Sequence, residues 1–236
     1  KETGNIPILF EKSESLGGQF LLAGAISAKK DFKNAVDKMI LDVQESGIEV
    51  HLNTVVTKEM LEEIKLDALI VAIGSSPFVL PIEGSERAIV AHDVLSEKVE
   101  VPGENVVIIG GGLVGFETAE FLASRQKKVI ILEMKEKALQ DLGPLRQITA
   151  QFAMAQMPIT IETSATVERI EDHAVVASGK EYPYDSVIMA VGSKANDTSM
   201  YADLGIPTYI VGDCKKAGVA LDAFKDAYHA VLEINK

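Results

Sequence analysis

The sequence predicts an α/β chain of two doubly wound, three-layer units with parallel sheets, one unit inserted into the other. Three observations carry that expectation. Val106-Val107-Ile108-Ile109 is an apolar run suited to a parallel strand covered on both faces, and a glycine turn and a helix start follow it directly through Glu120. The plan of Asp67 to Ser75 (aspartate, six mostly apolar residues, glycine, serine) returns at Asp185 to Ser193, and Ile8-Leu9-Phe10-Glu11-Lys12 returns as Ile130-Ile131-Leu132-Glu133-Met134. The intervals agree too, with 56 residues from Glu11 to Asp67 and 52 from Glu133 to Asp185, as expected of one unit used twice. Finally, the tail Thr208 to Asp213 reads as one more strand, followed by a helix from about Ala220 to Asn235. This tail returns the chain to the first unit, so residues 1–85 and 200–236 form the outer unit and 86–199 the inner one.

In chain order, Ile6 to Lys12 is a strand with Pro7 at its entry, where a missing N–H is tolerated. Leu16-Gly17-Gly18-Gln19 then turns the chain. Ala35, Val36, Met39, Ile40 and Val43 recur at helical spacing between Asp31 and Ser46, and Gly47 ends that helix. Ile48 to Leu52 alternates as a short strand, Lys58 to Lys65 is helix-like, and Asp67 to Ser75 is a buried strand. Pro77, Pro81 and Gly84 mark a crossing that Val101-Pro102-Gly103 closes, so the boundary falls between about residues 78 and 102. The helix after the glycine turn runs to about Gln126. Val129 to Glu133 is the next strand, Leu145 to Ala155 a helix, and Ile159 to Glu162, Ala165 to Glu171, His173 to Ala177 and Asp185 to Ser193 are further strands.

The glycine turn reads Gly110-x-Gly112-x-x-Gly115, with Gly111, Leu113 and Val114 between. The first glycine allows the tight turn, the second lets backbone approach a pyrophosphate, and the third lets the helix pack closely. Phosphate would sit on the unpaired N–H groups of the helix start. Glu133 ends the next strand 23 residues after Gly110, the interval at which a carboxylate meets an adenosine ribose. Strand, turn, helix and acidic strand end together predict a Rossmann-like dinucleotide site. Glu117 is placed in the first turn of the helix, where it would complement the helix dipole, with a place lining the cofactor cleft as the alternative.

With 35 acidic and 23 basic residues the net charge is −12, which disfavours nucleic acid and anionic membrane as partners and favours a small-molecule role. The longest apolar runs, near Ala68 to Ile73 and Val106 to Ile109, are too short for a membrane span. A single cysteine, Cys214, excludes an internal disulfide, a Cys-x-x-Cys pair and a cysteine-held iron–sulfur cluster within this chain, and fits a reducing, cytoplasmic setting. His51, His92, His173 and His229 lack ligand spacing, so no metal site is expected.

The repeat also predicts a gap. If Glu11 matches Glu133, the first unit's opening glycine belongs 23 residues earlier, ahead of Lys1. The first unit is therefore expected to lack its central strand, glycine turn and most of its first helix, as a fragment of a longer polypeptide would.

Together, Glu11, Leu16-Gly17-Gly18-Gln19, Ala72-Ile73-Gly74, Gly110 to Gly115, Glu133, Ala190-Val191-Gly192 and Gly212-Asp213 resemble the two-dinucleotide-binding-domain flavoproteins. The similarity is greatest to the C-terminal region of the NADH:flavin oxidoreductases of the dienoyl-CoA reductase, enoate reductase and trimethylamine dehydrogenase group. The resemblance implies that Glu11 holds the FAD adenosine ribose, that Gly18 and Gln19 lie along the flavin nucleotide, and that Asp213 binds the ribityl chain. It implies that Gly110, Gly112 and Gly115 hold the nicotinamide cofactor's pyrophosphate, with Gly111, Leu113 and Val114 in the same turn and Glu133 on the ribose. The strand-end glycines Gly74, Gly192 and Gly212 complete the cofactor-binding set. A carboxylate at 133 would repel a 2′-phosphate, so NAD(H) is expected over NADP(H), with Lys135 and Lys137 as nearby opposing charges.

Family members also carry an N-terminal barrel with FMN and an iron–sulfur cluster, which makes such a barrel the expected partner in the parent polypeptide. The function implied is electron entry, in which FAD accepts hydride from NADH and a partner domain reduces an unsaturated substrate. No catalytic acid or base is named, because the chemistry belongs to the cofactors. A second reading is a nucleotide-binding module, holding ADP or nothing, that is structural or regulatory. A third, thiol redox chemistry at Cys214, leaves two nucleotide units unexplained.

Overall fold

Short apolar strands and helices alternate along most of the chain and sort into two compact units. The structure, a computed structural model, describes residues 3–24, 29–140 and 142–236. Unit 1 comprises Lys1–Gly24, Lys30–Ser76 and Ser193–Lys236, and unit 2 comprises Ala25–Lys29 and Pro77–Gly192. Apart from Ala25–Lys29, the chain changes unit at 76/77 and 192/193, against 85/86 and 199/200 expected from the sequence.

The elements in order are β1 (Ile8–Phe10), α1 (Gly18–Leu22), α2 (Lys30–Glu45), β2 (Glu49–His51), α3 (Lys58–Glu63), β3 (Leu69–Val71) and β4 (Ser75–Pro77). Then come β5 (Ile89–Val90), α4 (Ala91–Leu95), β6 (Asn105–Ile109), α5 (Leu113–Ala123), β7 (Lys128–Leu132) and α6 (Pro144–Gln156). After these follow β8 (Ile159–Glu162), β9 (Val167–Ile170), β10 (Ala174–Ala177), β11 (Lys180–Pro183), β12 (Ser186–Met189), β13 (Ser193–Ala195), β14 (Thr208–Ile210) and α7 (Ala220–Ile234). Some of these correct the sequence-based expectation. Leu16 to Gln19 does more than turn, since left-handed Gly17 directly precedes α1. The crossing between Pro77 and Gly103, where the sequence announced no element, contains β5 and α4, and β5 is an edge strand of the unit 2 sheet.

Unit 2 is built on a five-stranded parallel sheet in the order β5-β12-β6-β7-β8, with β6 at its centre. Strand side chains alternate between faces. Val107, Ile109, Leu132, Val187 and Met189 share one core with Ile170, Val175 and Tyr182 of the three-stranded antiparallel sheet β9-β10-β11. The layer on that face is therefore a β-meander. α5 packs against β7, and the nine residues Gly115 to Ala123 are all buried, Glu117, Thr118 and Glu120 among them.

The entry to β6 is pinned by Asp185, whose Oδ2 accepts from the backbone N of Asn105 (2.8 Å) and Glu104 (2.9 Å) and from Asn105 Nδ2 (3.0 Å). The bonds from Asn105, then Glu104, hold this carboxyl below its ordinary value of 3.8. A carboxyl lowered on folding contributes stability above its unfolded pKa and loses it as pH falls through the folded one. Asp185→Ala is therefore expected to lower the melting temperature near neutral pH. That deficit should shrink as pH is taken below about 3.8 in a thermal-unfolding series.

Unit 1 has two separate two-stranded parallel ladders, β1-β2 and β3-β14. Its β1-β2 pair repeats the end of the β7-β8 pair of unit 2, Ile8–Phe10 pairing with Glu49–His51 as Ile130–Leu132 pair with Thr160–Glu162. Phe10 pairs with His51 as Leu132 pairs with Glu162. Glu11 N donates to His51 O as Glu133 N donates to Glu162 O, and Thr54 N donates to Glu11 O as Ala165 N donates to Glu133 O. Asn53 (φ 51°) donates to Ser13 O as Ser164 (φ 54°) donates to Lys135 O. The duplication read from the sequence is a duplication of backbone geometry.

Candidate functional site

In unit 2 the turn after β6 is shaped by what surrounds its glycines. Gly110 has φ 110°, and a Cβ there would lie 2.4 Å from Ala190 O, so backbone sign and space both demand glycine. A Cβ on Gly115 would lie 1.9 Å from Gly110 O, which is how closely α5 sits on the turn. Gly112 is the N-cap and has no side chain to offer, and the first turn of α5 carries no acidic residue. The N–H groups that open α5, at Leu113 and Val114, are therefore left without a side-chain cap, a setting suited to a pyrophosphate. Gly111 closes the other flank. Its N donates to Glu133 Oε2 at 2.8 Å, and a Cβ there would meet Glu133 Cβ at 2.9 Å.

Glu133 is 8 % exposed, and its Oε1 accepts from Lys135 N at 2.9 Å. The carboxylate at the end of β7 is thus fixed by two backbone amides beside the glycine turn. Lys135 and Lys137 are exposed. Glu117 corrects its expected position: the first turn of α5 holds no acidic residue, and Glu117, 6 % exposed, forms an ion pair with Lys29. Glu120 is likewise buried and paired with Arg146, whose guanidinium lies 5.5 Å from the Phe116 ring centroid. Both pairings join residues distant in sequence and had no signal there.

In unit 1, Glu11 Oε1 accepts from Ser13 N at 2.8 Å, the counterpart of the Glu133 bond to Lys135 N. Gln19, Gly74 and Asp213 come together through Ser75, a residue the sequence reading did not single out. Gln19 Nε2 donates to Ser75 O and Oγ, each at 3.1 Å, and Ser75 Oγ donates to Asp213 Oδ2 at 2.9 Å. Asp213 Oδ1 accepts from Gly218 N at 3.2 Å, just ahead of α7. A Cβ on Gly74 would lie 3.4 Å from Gln19 Nε2, and Gly212 is packed 3.1 Å from the Ala223 Cβ by the same measure. Gly18 opens α1, Glu11 is not part of this network, and Gly192 lies in unit 2, where its O accepts from Phe78 N at 2.9 Å.

The residues of unit 2 fit a dinucleotide: a neutral glycine turn, an uncapped helix start and a buried carboxylate at the neighbouring strand end. Unit 1 has the matching carboxylate and the Gln19–Ser75–Asp213 chain, but its described residues contain no glycine turn after a central strand. Cys214 is buried with Sγ against Val71 O and Val211 O, so it is a packing residue, which closes the thiol reading. Among the described residues no group of three or more His, Cys, Asp or Glu could hold a metal ion, and no helix is long and apolar enough to cross a membrane.

A glycine turn of this build, with the same strand-end carboxylate geometry in a second unit, defines a tandem dinucleotide-binding fold. The chain belongs to the pyridine nucleotide-disulphide oxidoreductase family, whose pattern matches residues 8–216. It is 32 % identical over 244 residues to an NADH oxidase of Thermoanaerobacter brockii, covering 98 % of this chain and 38 % of that protein. It is 33 % identical over 241 residues to a cinnamate reductase of Clostridium sporogenes, covering 98 % of this chain and 36 % of that protein. Among solved structures, a 2-naphthoyl-CoA reductase complex superposes with a TM-score of 0.89 at 29 % identity over 96 % of this chain and 36 % of that one. The chain thus spans well under half the length of these relatives, and the family is one of nucleotide- and flavin-binding oxidoreductases.

Proposed function

We propose that the chain is the electron-entry part of a flavin-dependent NADH oxidoreductase, with NADH held on unit 2 and the flavin nucleotide on unit 1. Gly110, Gly112 and Gly115, with the N–H groups of Leu113 and Val114, would bind the pyrophosphate, and Glu133 the adenosine ribose. Glu11 would hold the second nucleotide's ribose, and Asp213, oriented by Ser75 and Gln19, the ribityl chain. When bound, the nicotinamide supplies a hydride and the flavin accepts it. The residues bind and orient; none is assigned a proton transfer. NAD(H) is preferred to NADP(H) because a 2′-phosphate would be brought against the buried Glu133 carboxylate. The partner is a further domain of the parent polypeptide, a barrel with FMN and an iron–sulfur cluster, where an unsaturated substrate is reduced.

The observation that carries this reading is the uncapped glycine turn beside Glu133, a cradle with no structural use for its bareness. Titrating the purified chain with NADH and following the nicotinamide fluorescence tests it. Saturable binding at micromolar to low-millimolar NADH is expected, and a linear, non-saturating signal would rule the reading out. Binding of added FAD, followed by its visible absorbance, then reports on unit 1 separately.

A further inference from the structure

The inward side of α7 is made of small side chains and one carboxylate. Ala223, Ala227 and Ala230 recur at helical spacing and are at least half-buried, and a Cβ on Gly212 would lie 3.1 Å from the Ala223 Cβ. Of the charged residues Asp222, Lys225, Asp226 and Glu233, only Asp226 is not exposed. It meets the turn that carries Asp213. Asp226 Oδ2 accepts from Gly212 N at 3.2 Å, and Oδ1 accepts from Lys215 Nζ at 2.6 Å. The carboxylate therefore grips both ends of a turn that is closed within itself by Lys215 N and Lys216 N donating to Gly212 O.

The Gly212 end is where the chain leaves the sheet. The pairing of β14 with β3 finishes as Val211 N donates to Val71 O at 3.0 Å, and Gly212 follows with φ 65°. That left-handed bend, natural to glycine, takes its N–H out of the ladder, and a buried amide so placed needs another acceptor. Asp226 supplies it. The next residue is Asp213, whose side chain is fixed by Ser75 Oγ on Oδ2 and Gly218 N on Oδ1. The Lys215 bond foremost holds the Asp226 carboxyl below its ordinary value of 3.8, so near neutral pH it is an ionised, strong acceptor.

We propose that Asp226 is the positioning residue of the Asp213 site. By holding the Gly212 amide it sets the direction in which Asp213 leaves the end of β14, and with it the place of the Asp213 carboxylate against a ribityl chain. The inference rests on the flavin reading of unit 1 given above. The amide bond is the working contact. Lys215 is 56 % exposed, and an ion pair to so exposed a cation contributes little, whereas a buried amide stripped of its acceptor is costly.

FAD and ADP separate positioning from mere support, because both carry the adenosine diphosphate part and only FAD has a ribityl chain. Asp226→Ala is expected to speed backbone hydrogen exchange at Gly212 by about tenfold or more and to weaken FAD binding by about tenfold. The ADP affinity, and the NADH affinity of unit 2, should stay as in the parent chain. Asp226→Asn keeps an acceptor oxygen for the amide and should recover most of both losses. Lys215→Met removes only the ion pair and should shift either readout by about twofold at most. The proposal is overturned if Asp226→Ala leaves Gly212 exchange unchanged, if it weakens FAD and ADP alike, or if Lys215→Met does as much. A parent chain that binds FAD no more tightly than ADP would instead fail the ribityl reading, and Gly212 exchange in Asp226→Ala would still decide whether this carboxylate holds the turn.

Discussion

Gly110→Ala is expected to abolish NADH binding by unit 2, raising the dissociation constant by about 100-fold or more. Two costs coincide at that residue. An L side chain at φ 110° is strained by itself, and the added Cβ would lie 2.4 Å from Ala190 O, a backbone atom at the end of β12. β12 is paired with β6, so relief requires moving the turn away from the centre of the sheet. The sum is roughly 2–4 kcal/mol, and the turn that holds the pyrophosphate is the part that yields. Gly179→Ala is the control, because Gly179 also has positive φ (74°) but nothing lies within 4 Å of the new Cβ. That variant should lose some thermal stability and bind NADH like the parent. If Gly110→Ala bound NADH with unchanged affinity in the fluorescence titration, the turn would not be the binding cradle.

The same steric reasoning explains why this part of the molecule was legible in the sequence. Gly110, Gly111 and Gly115 each face an atom that leaves no room for a Cβ, so the fold writes its shape directly into residue identity. Glu133 was legible because its position relative to the turn is set by one strand–helix–strand passage. The repeat was legible because the β1-β2 and β7-β8 pairs are built by the same local backbone bonds, which need the same spacing of residues.

What could not be read depends on contacts far apart in sequence. Ser75 joins Gln19 and Asp213 across 56 and 138 residues, and the Lys29–Glu117 pair spans 88. β4 and β13 are Ser-Ser-Pro and Ser-Lys-Ala, with no apolar alternation to announce a strand; each is extended because the other is there to pair with it. β11 carries a single buried side chain, Tyr182, and owes its existence to its pairing with β10. Local pattern reports a residue's own neighbours well, and these elements are decided by distant ones.

Glu133→Gln should separate the two jobs this side chain holds. As a carboxylate it accepts from Gly111 N and Lys135 N, and as a buried negative charge it would oppose a 2′-phosphate. A unit charge about 5 Å away at an effective dielectric of about 20 feels roughly 3 kcal/mol, or about two orders of magnitude in relative affinity. The parent chain is therefore expected to favour NADH over NADPH by about that factor, reduced to the extent that exposed Lys135 and Lys137 offset it. Glutamine keeps one acceptor oxygen for a backbone amide while losing the charge, so the NADH to NADPH ratio should fall toward unity at a stability cost of about 1–3 kcal/mol. Glu133→Ala removes both acceptors, and it should lose more stability than glutamine while discriminating no better. Parallel titrations with the two nucleotides, with melting temperatures on the same samples, read all three effects. A glutamine variant that still discriminated like the parent would move the source of specificity away from this carboxylate.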